Sequence, residues 1–187
     1  GAGASEETAR DRRYTFLHAV AKRHDARVLT AHHVNDVVET VAINLHRGTG
    51  WRGLAVLDSP NIDRPLLALQ KEALVEYAHA NGLTWREDST NQGDTYLRNR
   101  LRKQLHHAAA EEVSLLGAYR KRQVALKRQI DTEALQLIGE APYSRYLFTM
   151  VPEREAVELL RMLCVLEAGI SLTFPQRRVA LIAIRTQ

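Results

Sequence analysis

Ala26-Arg27-Val28-Leu29-Thr30-Ala31-His32-His33-Val34-Asn35-Asp36-Val37-Val38-Glu39-Thr40-Val41-Ala42-Ile43-Asn44-Leu45 is where the fold of this chain is written. Ala26 to Ala31 has the composition of a short buried strand. It runs straight into His32 and His33. From Val34 the period changes. Val34, Val37, Val38, Val41, Ala42 and Leu45 recur at the spacing of one helical face. At about 100° per residue, Asp36 and Glu39 fall opposite that stripe, roughly 60° apart. A strand feeding an amphipathic helix is the unit of a parallel α/β sheet. In such sheets ligands collect beyond the C-terminal ends of the strands. Two imidazoles and two carboxylates stand at that end, beside a helix N-terminus.

The flanks extend the same pattern. Ser5 can cap a helix with Glu6 and Glu7 in its positive first turn, ending near His24. Downstream, Arg47-Gly48-Thr49-Gly50-Trp51-Arg52-Gly53 closes the central helix with a glycine-rich loop. Leu69 to Ala80 reads as a helix stopped by Asn81-Gly82. Leu83 to Arg86 reads as a strand, and Asp88 to Asp94 as a polar loop. From about Tyr96 the strand signal fades. Arg98 to His107 and Glu111 to Ile138 read as helices, broken at Gly139 to Pro142. Tyr146 to Val151 reads as a strand or an extended linker. Thr173-Phe174-Pro175-Gln176 is a helix start, with a threonine cap, an early proline and a glutamine to close the box. The expected fold class is α/β: a partial Rossmann-like parallel sheet with flanking helices, then a mainly helical second domain. The expected boundary separates residues 1–108 from 109–187.

Composition narrows the function classes. The chain has 187 residues, 45% hydrophobic and 26% charged, as in an ordinary globular protein. No apolar run approaches the length of a membrane span, and no secretory leader opens the sequence, so a cytoplasmic setting without membrane contact is expected. Cys164 is the single cysteine, which excludes an internal disulfide and any Cys-x-x-Cys site. The formal net charge is +4. The distribution says more: Arg98, Arg100, Arg102, Lys103, Arg120, Lys121, Arg122, Lys127 and Arg128 crowd the stretch from Thr95 to Ile130, opposed only by Glu111 and Glu112. Such a block suits a polyanion partner, and equally a solvated helical face.

Three constellations carry chemistry. His32, His33, Asp36 and Glu39 could hold a metal, or could serve as an acid/base site beside a nucleotide. The metal reading lacks the spacing of a zinc-binding helix and the direct His-Asp pair of histidine-aspartate hydrolases, so no protein-held metal is expected. Gly48, Gly50 and Gly53 could let backbone approach a nucleotide, or simply form a turn; neither a Walker A nor a Gly-x-Gly-x-x-Gly pattern is present. Arg98 and Arg102 share a helical face, where like charges repel unless an anion lies between the guanidinium forks.

The order of motifs is more specific than any one of them. Ala9-Arg10-x-x-Arg13-Tyr14-x-Phe16-Leu17 precedes Thr30-Ala31-His32-His33-x-Asn35-Asp36-x-x-Glu39-Thr40. Then follow Arg47-Gly48-Thr49-Gly50-x-x-Gly53-Leu54, Arg64-Pro65-Leu66-Leu67, Glu87-Asp88-x-x-Asn91 and Tyr96-x-Arg98-Asn99-Arg100-x-Arg102. From about Glu6 to Lys103 this series resembles the tRNA(Ile)-lysidine synthetase family of the N-type ATP-pyrophosphatases. The resemblance implies a ligase that adenylates the wobble cytidine of a CAU-anticodon tRNA(Ile) with ATP and Mg2+. Free lysine then displaces AMP to form lysidine. It implies Asp36 as the base or lysine-orienting carboxylate, His32 as its partner and Glu39 as a second candidate. Gly48, Gly50 and Gly53 would lie near ATP, and Arg64, Arg98, Arg100 and Arg102 near tRNA or lysine. Asn35 stands where the family often has aspartate. The family's phosphate loop, Ser-Gly-Gly-x-Asp-Ser, does not occur in these residues. A chain without the family's first strands, binding ATP poorly by itself, is therefore expected. The alternatives are a non-catalytic RNA-binding module and a related tRNA thiolase, against which the lone cysteine speaks.

Overall fold

The computed structural model describes residues 6–86 and 109–186. Contacts divide the chain into two compact units, Gly1–Val124 and Ala125–Gln187.

The first unit opens with helix α1 (Glu6–Arg23), strand β1 (Val28–Leu29) and helix α2 (Val34–His46). A 3-10 turn (Trp51–Leu54), strand β2 (Ile62–Asp63) and helix α3 (Lys71–Ala80) follow. The strands pair in parallel, Val28 with Ile62 and Leu29 with Asp63. The Thr30 N–H continues the ladder, donating to the Asp63 carbonyl at 3.0 Å. Helix α2 is thus part of the crossover that parallel pairing requires. Val28 and Ile62 are buried, whereas Leu29 is 65% exposed, so β1 is buried on one face only.

Helix α2 is central because its one valine stripe serves two groups of neighbours. Val37 and Val41 meet Val56, with Leu54, Leu57 and Leu67 around them. Val34 and Val38 meet Val113 and Leu116 of the long helix α4 (Ala110–Ile138). At Gly117 of α4 a Cβ would stand 2.8 Å from Val34 Cγ2, so glycine permits the approach.

The second unit holds the last part of α4 with α5 (Arg145–Met150), α6 (Glu153–Ala168) and α7 (Phe174–Thr186). Ala156, Val157 and Leu181 are almost wholly enclosed, with Phe148, Leu159 and Leu160 beside them. Arg161 of α6 joins Asp131 of α4 and Glu158. At the Thr173–Gln176 start the glutamine half of the expected box forms: Gln176 Oε1 accepts from the Thr173 N–H at 2.8 Å and from its hydroxyl at 2.9 Å.

The expected class, a short parallel sheet with flanking helices followed by a helical region, is therefore what the chain adopts. Two local expectations fail. Tyr146 to Val151 is mostly helix α5, because Phe148 must enter the helical core; aromatic and β-branched composition yields to packing. Leu83 to Arg86 forms no strand; Trp85 instead packs edge-on against His79 of α3, with ring centroids 5.1 Å apart.

Candidate functional site

The site forms where β1 hands over to α2. His33 takes the N-cap position in extended geometry, with φ −121° and ψ 178°. Asp36, three residues on, reaches back so that its Oδ2 accepts the His33 N–H at 2.9 Å. His33 Nδ1 lies 3.5 Å from the same oxygen. Asp36 therefore closes the first turn of α2 while placing its negative charge at the positive end of the helix. His32 Nδ1 and Thr30 Oγ1 are 2.7 Å apart, a hydrogen bond that fixes the imidazole against the end of β1.

His32 and Asp36 share a cavity of about 360 Å³ with Arg13, Tyr14 and Leu17 of α1, and with Thr30 and Ala31. The Arg10 and Arg13 guanidinium carbons lie 5.3 and 5.8 Å from the centroid of the Tyr14 ring. An arginine, an aromatic ring, an imidazole and a carboxylate thus face one space. Such a set can hold an anion, support a planar group and exchange a proton.

The other candidate residues separate. Glu39 is only 6% exposed and is not among the residues lining the cavity. This corrects the expectation that its place opposite the buried stripe leaves it open. Both valine clusters lie on the predicted stripe, so Glu39 is buried on a face that the apolar period does not mark. Conversely Leu45, expected in that stripe, is 59% exposed in the last turn of the helix. Gly48 has φ +68°, the left-handed geometry that ends α2. A Cβ at Gly53 would stand 2.6 Å from Thr49 Cβ. Asn44 Nδ2 donates to the Gly53 carbonyl at 2.8 Å, and the Thr49 hydroxyl donates to the Asn44 carbonyl at 2.7 Å. Those two glycines thus meet needs internal to the turn, while Gly50 has open space around its Cα. Arg64 Nη1 donates to the Leu57 carbonyl at 3.0 Å, where Arg120 Nη2 also donates at 2.8 Å. Leu57 has φ +53°, so the two arginines brace a left-handed residue. Arg98, Arg100 and Arg102 lie outside the described residues. Among the described residues no three histidine, cysteine, aspartate or glutamate side chains converge to hold a metal ion.

Sequence reasoning passed over two contributors. Arg13 and Tyr14 line the cavity; the motif containing them was visible, but their meeting with His32 depends on how α1 packs. Asn35 also has a defined structural role, since its Oδ1 accepts the Lys71 N–H at 2.9 Å. Gln70, the N-cap of α3, makes no side-chain cap bond of its own. Its amide donates instead to the Ala110 carbonyl and to Ser114 Oγ, both at 3.0 Å. Asn35 thus ties the start of α2 to the start of α3, and Gln70 ties α3 to α4.

Known proteins are similar to this chain in sequence. The profile of the PP-loop domain family matches residues 2–109. The tRNA(Ile)-lysidine synthase of Bacillus subtilis is 41% identical over 105 residues, covering 52% of this chain and 22% of that protein. The synthase of Bacillus cereus is 36% identical over 140 residues, covering 71% of this chain and 29% of that protein. The synthase of Thermus thermophilus is 46% identical over 99 residues, covering 52% of this chain and 19% of that protein. The chain therefore spans less than a third of the length of these relatives. With more than half of its residues inside the family match, the chain belongs to the PP-loop domain family.

Proposed function

We propose that these residues belong to a tRNA(Ile)-lysidine synthase and supply the lysine-accepting side of its active site. The carrying observation is the cavity that brings Arg13 and Tyr14 together with His32 and Asp36 at the end of β1. The substrates are ATP with magnesium on its phosphates, free lysine and a CAU-anticodon tRNA. The C2 oxygen of the wobble cytidine attacks the α-phosphate of ATP, and pyrophosphate leaves, giving the adenylate. The amine of lysine then attacks C2, and AMP leaves with the C2 oxygen. That amine arrives as an ammonium and must lose a proton before it can attack. Asp36 is the group suited to orient it and receive the proton. His32, fixed through Thr30, stands in the same cavity to pass the proton on. Glu39 acts from inside the fold, where its burial suits the support of α2 better than contact with lysine. Arg98, Arg100 and Arg102 are assigned to the tRNA or to the lysine carboxylate on their sequence pattern alone.

The test is transfer of labelled lysine into CAU-anticodon tRNA by the intact protein. Asp36→Asn is expected to lower the rate by about 100-fold or more, the scale of a lost general base. Full activity in that variant removes Asp36 from the reaction.

A second reading is RNA binding without catalysis. It is favoured by Lys121, Arg122 and Arg128, which stand exposed on α4. RNA binding that weakens steeply with salt, in a protein that transfers no lysine, would select it.

A further inference from the structure

A second recess lies at the other end of the strands from His32 and Asp36. It measures about 460 Å³, within the range of small-ligand sites. His18 and Lys22 of α1, Arg27 just before β1 and Asn61 just before β2 line it, together with Ala21, Ala26 and Pro60. His18 and Lys22 are one helical turn apart and share a face. Arg27 Nη2 is held 2.7 Å from Asp63 Oδ1, which fixes the guanidinium while leaving the side chain 66% exposed. No carboxylate is among the lining residues. Lys22 sits in the last turn of α1, where a cation complements the negative end of the helix. That accounts for the lysine alone. The Asp63 pair engages one nitrogen of the Arg27 guanidinium, and neither contact accounts for an imidazole and an amide lining the same recess. All four groups donate hydrogen bonds, and two are permanent cations, the Arg27 charge being partly offset by Asp63. A tetrahedral oxyanion matches them in charge and in donor geometry.

We propose that this recess binds a phosphate group, with Lys22 and Arg27 carrying the charge and His18 and Asn61 at its rim. The phosphate belongs either to an RNA backbone or to a small soluble compound. The RNA source rests on the tRNA reading above, whereas the phosphate chemistry does not.

The experiment uses the 187-residue chain and two probes, inorganic phosphate and an anticodon stem-loop RNA, at ionic strength matched with chloride. The readouts are the His18 imidazole resonances, assigned with His18→Gln, and the salt dependence of RNA affinity. At least one probe is expected to move the His18 resonances saturably, and the Lys22→Ala/Arg27→Gln double variant is expected to abolish that movement. If RNA is the source, the double variant also lowers the log–log salt slope by about 0.7–0.9 for each phosphate it no longer neutralises. If only inorganic phosphate moves His18, the source is a soluble compound. If RNA fails to bind at all while phosphate still moves His18, the tRNA reading falls and the recess stands. The proposal is overturned if neither probe moves His18, or if the movement survives in the double variant. Both substituted side chains are at the surface, and a far-ultraviolet spectrum confirms that the variant is folded.

Discussion

Asp36 plays two roles that substitution can separate. Its Oδ2 accepts the His33 N–H, and its charge faces the cavity. Asparagine keeps an oxygen acceptor at that place and drops the charge. Asp36→Asn is therefore expected to lose only the charge's contribution at the helix N-terminus, about 0.3–1 kcal/mol. Asp36→Ala, which loses the acceptor as well, is expected to be less stable by about a further 1 kcal/mol. Chemical denaturation of the three proteins measures this; equal losses in both variants would mean that the charge, not the hydrogen bond, holds the helix start. Glu39 shows why such separation is needed. A helical wheel places it near Asp36, yet Glu39 is buried while Asp36 lines a cavity, a difference the wheel does not carry. Motif spacing made His32 and Asp36 legible as a pair. The hydrogen bond between Thr30 and His32, and the burial of Glu39, depend on contacts that local pattern does not encode.

Elements were more legible than the contacts between them. The valine period announced α2, and Asn81-Gly82 announced the end of α3. The strands are two residues each, too short for period to define, and Tyr146 to Met150 took its state from the core it joins. The close approach of α4 to α2 at Gly117 is likewise silent in sequence. A glycine inside a long helix costs about 0.5–1 kcal/mol relative to alanine. Here it leaves room for Val34, whose Cγ2 would stand 2.8 Å from an added Cβ. Gly117→Ala is therefore expected to lower stability in the wild-type background. With Val34→Ala the same change should raise stability by about 0.5–1 kcal/mol, since only helix propensity remains. A double-mutant cycle in urea reads the coupling, and additive effects would show that the approach costs nothing.

At the scale of the molecule, a basic chain meets alkaline conditions through its tyrosines as well as its lysines. The formal charge is +4 and the sequence pI about 9.4, so net charge passes through zero near the range where tyrosine titrates. One tyrosine in the helical unit is coupled to the fold. The Tyr143 hydroxyl donates to Glu167 Oε1 near the end of α6. That bond holds the phenol's pKa above its ordinary 10.0; burial, then repulsion by the Glu167 and Glu140 charges, pushes the same way. A pKa raised by folding means that the native state keeps the proton after the unfolded chain has lost it. Stability from this contact is thus complete below about pH 10 and is lost as pH rises through the raised value. Phenylalanine has no proton to lose. The stability difference between wild type and Tyr143→Phe is expected to be constant at neutral and mildly alkaline pH. Above pH 10 it should shift against the wild type, as the bond to Glu167 is lost. Urea melts across that range decide the matter. The comparison cancels the lysine titration common to both proteins, so a difference that stays flat above pH 10 would uncouple Tyr143 from the stability of the fold.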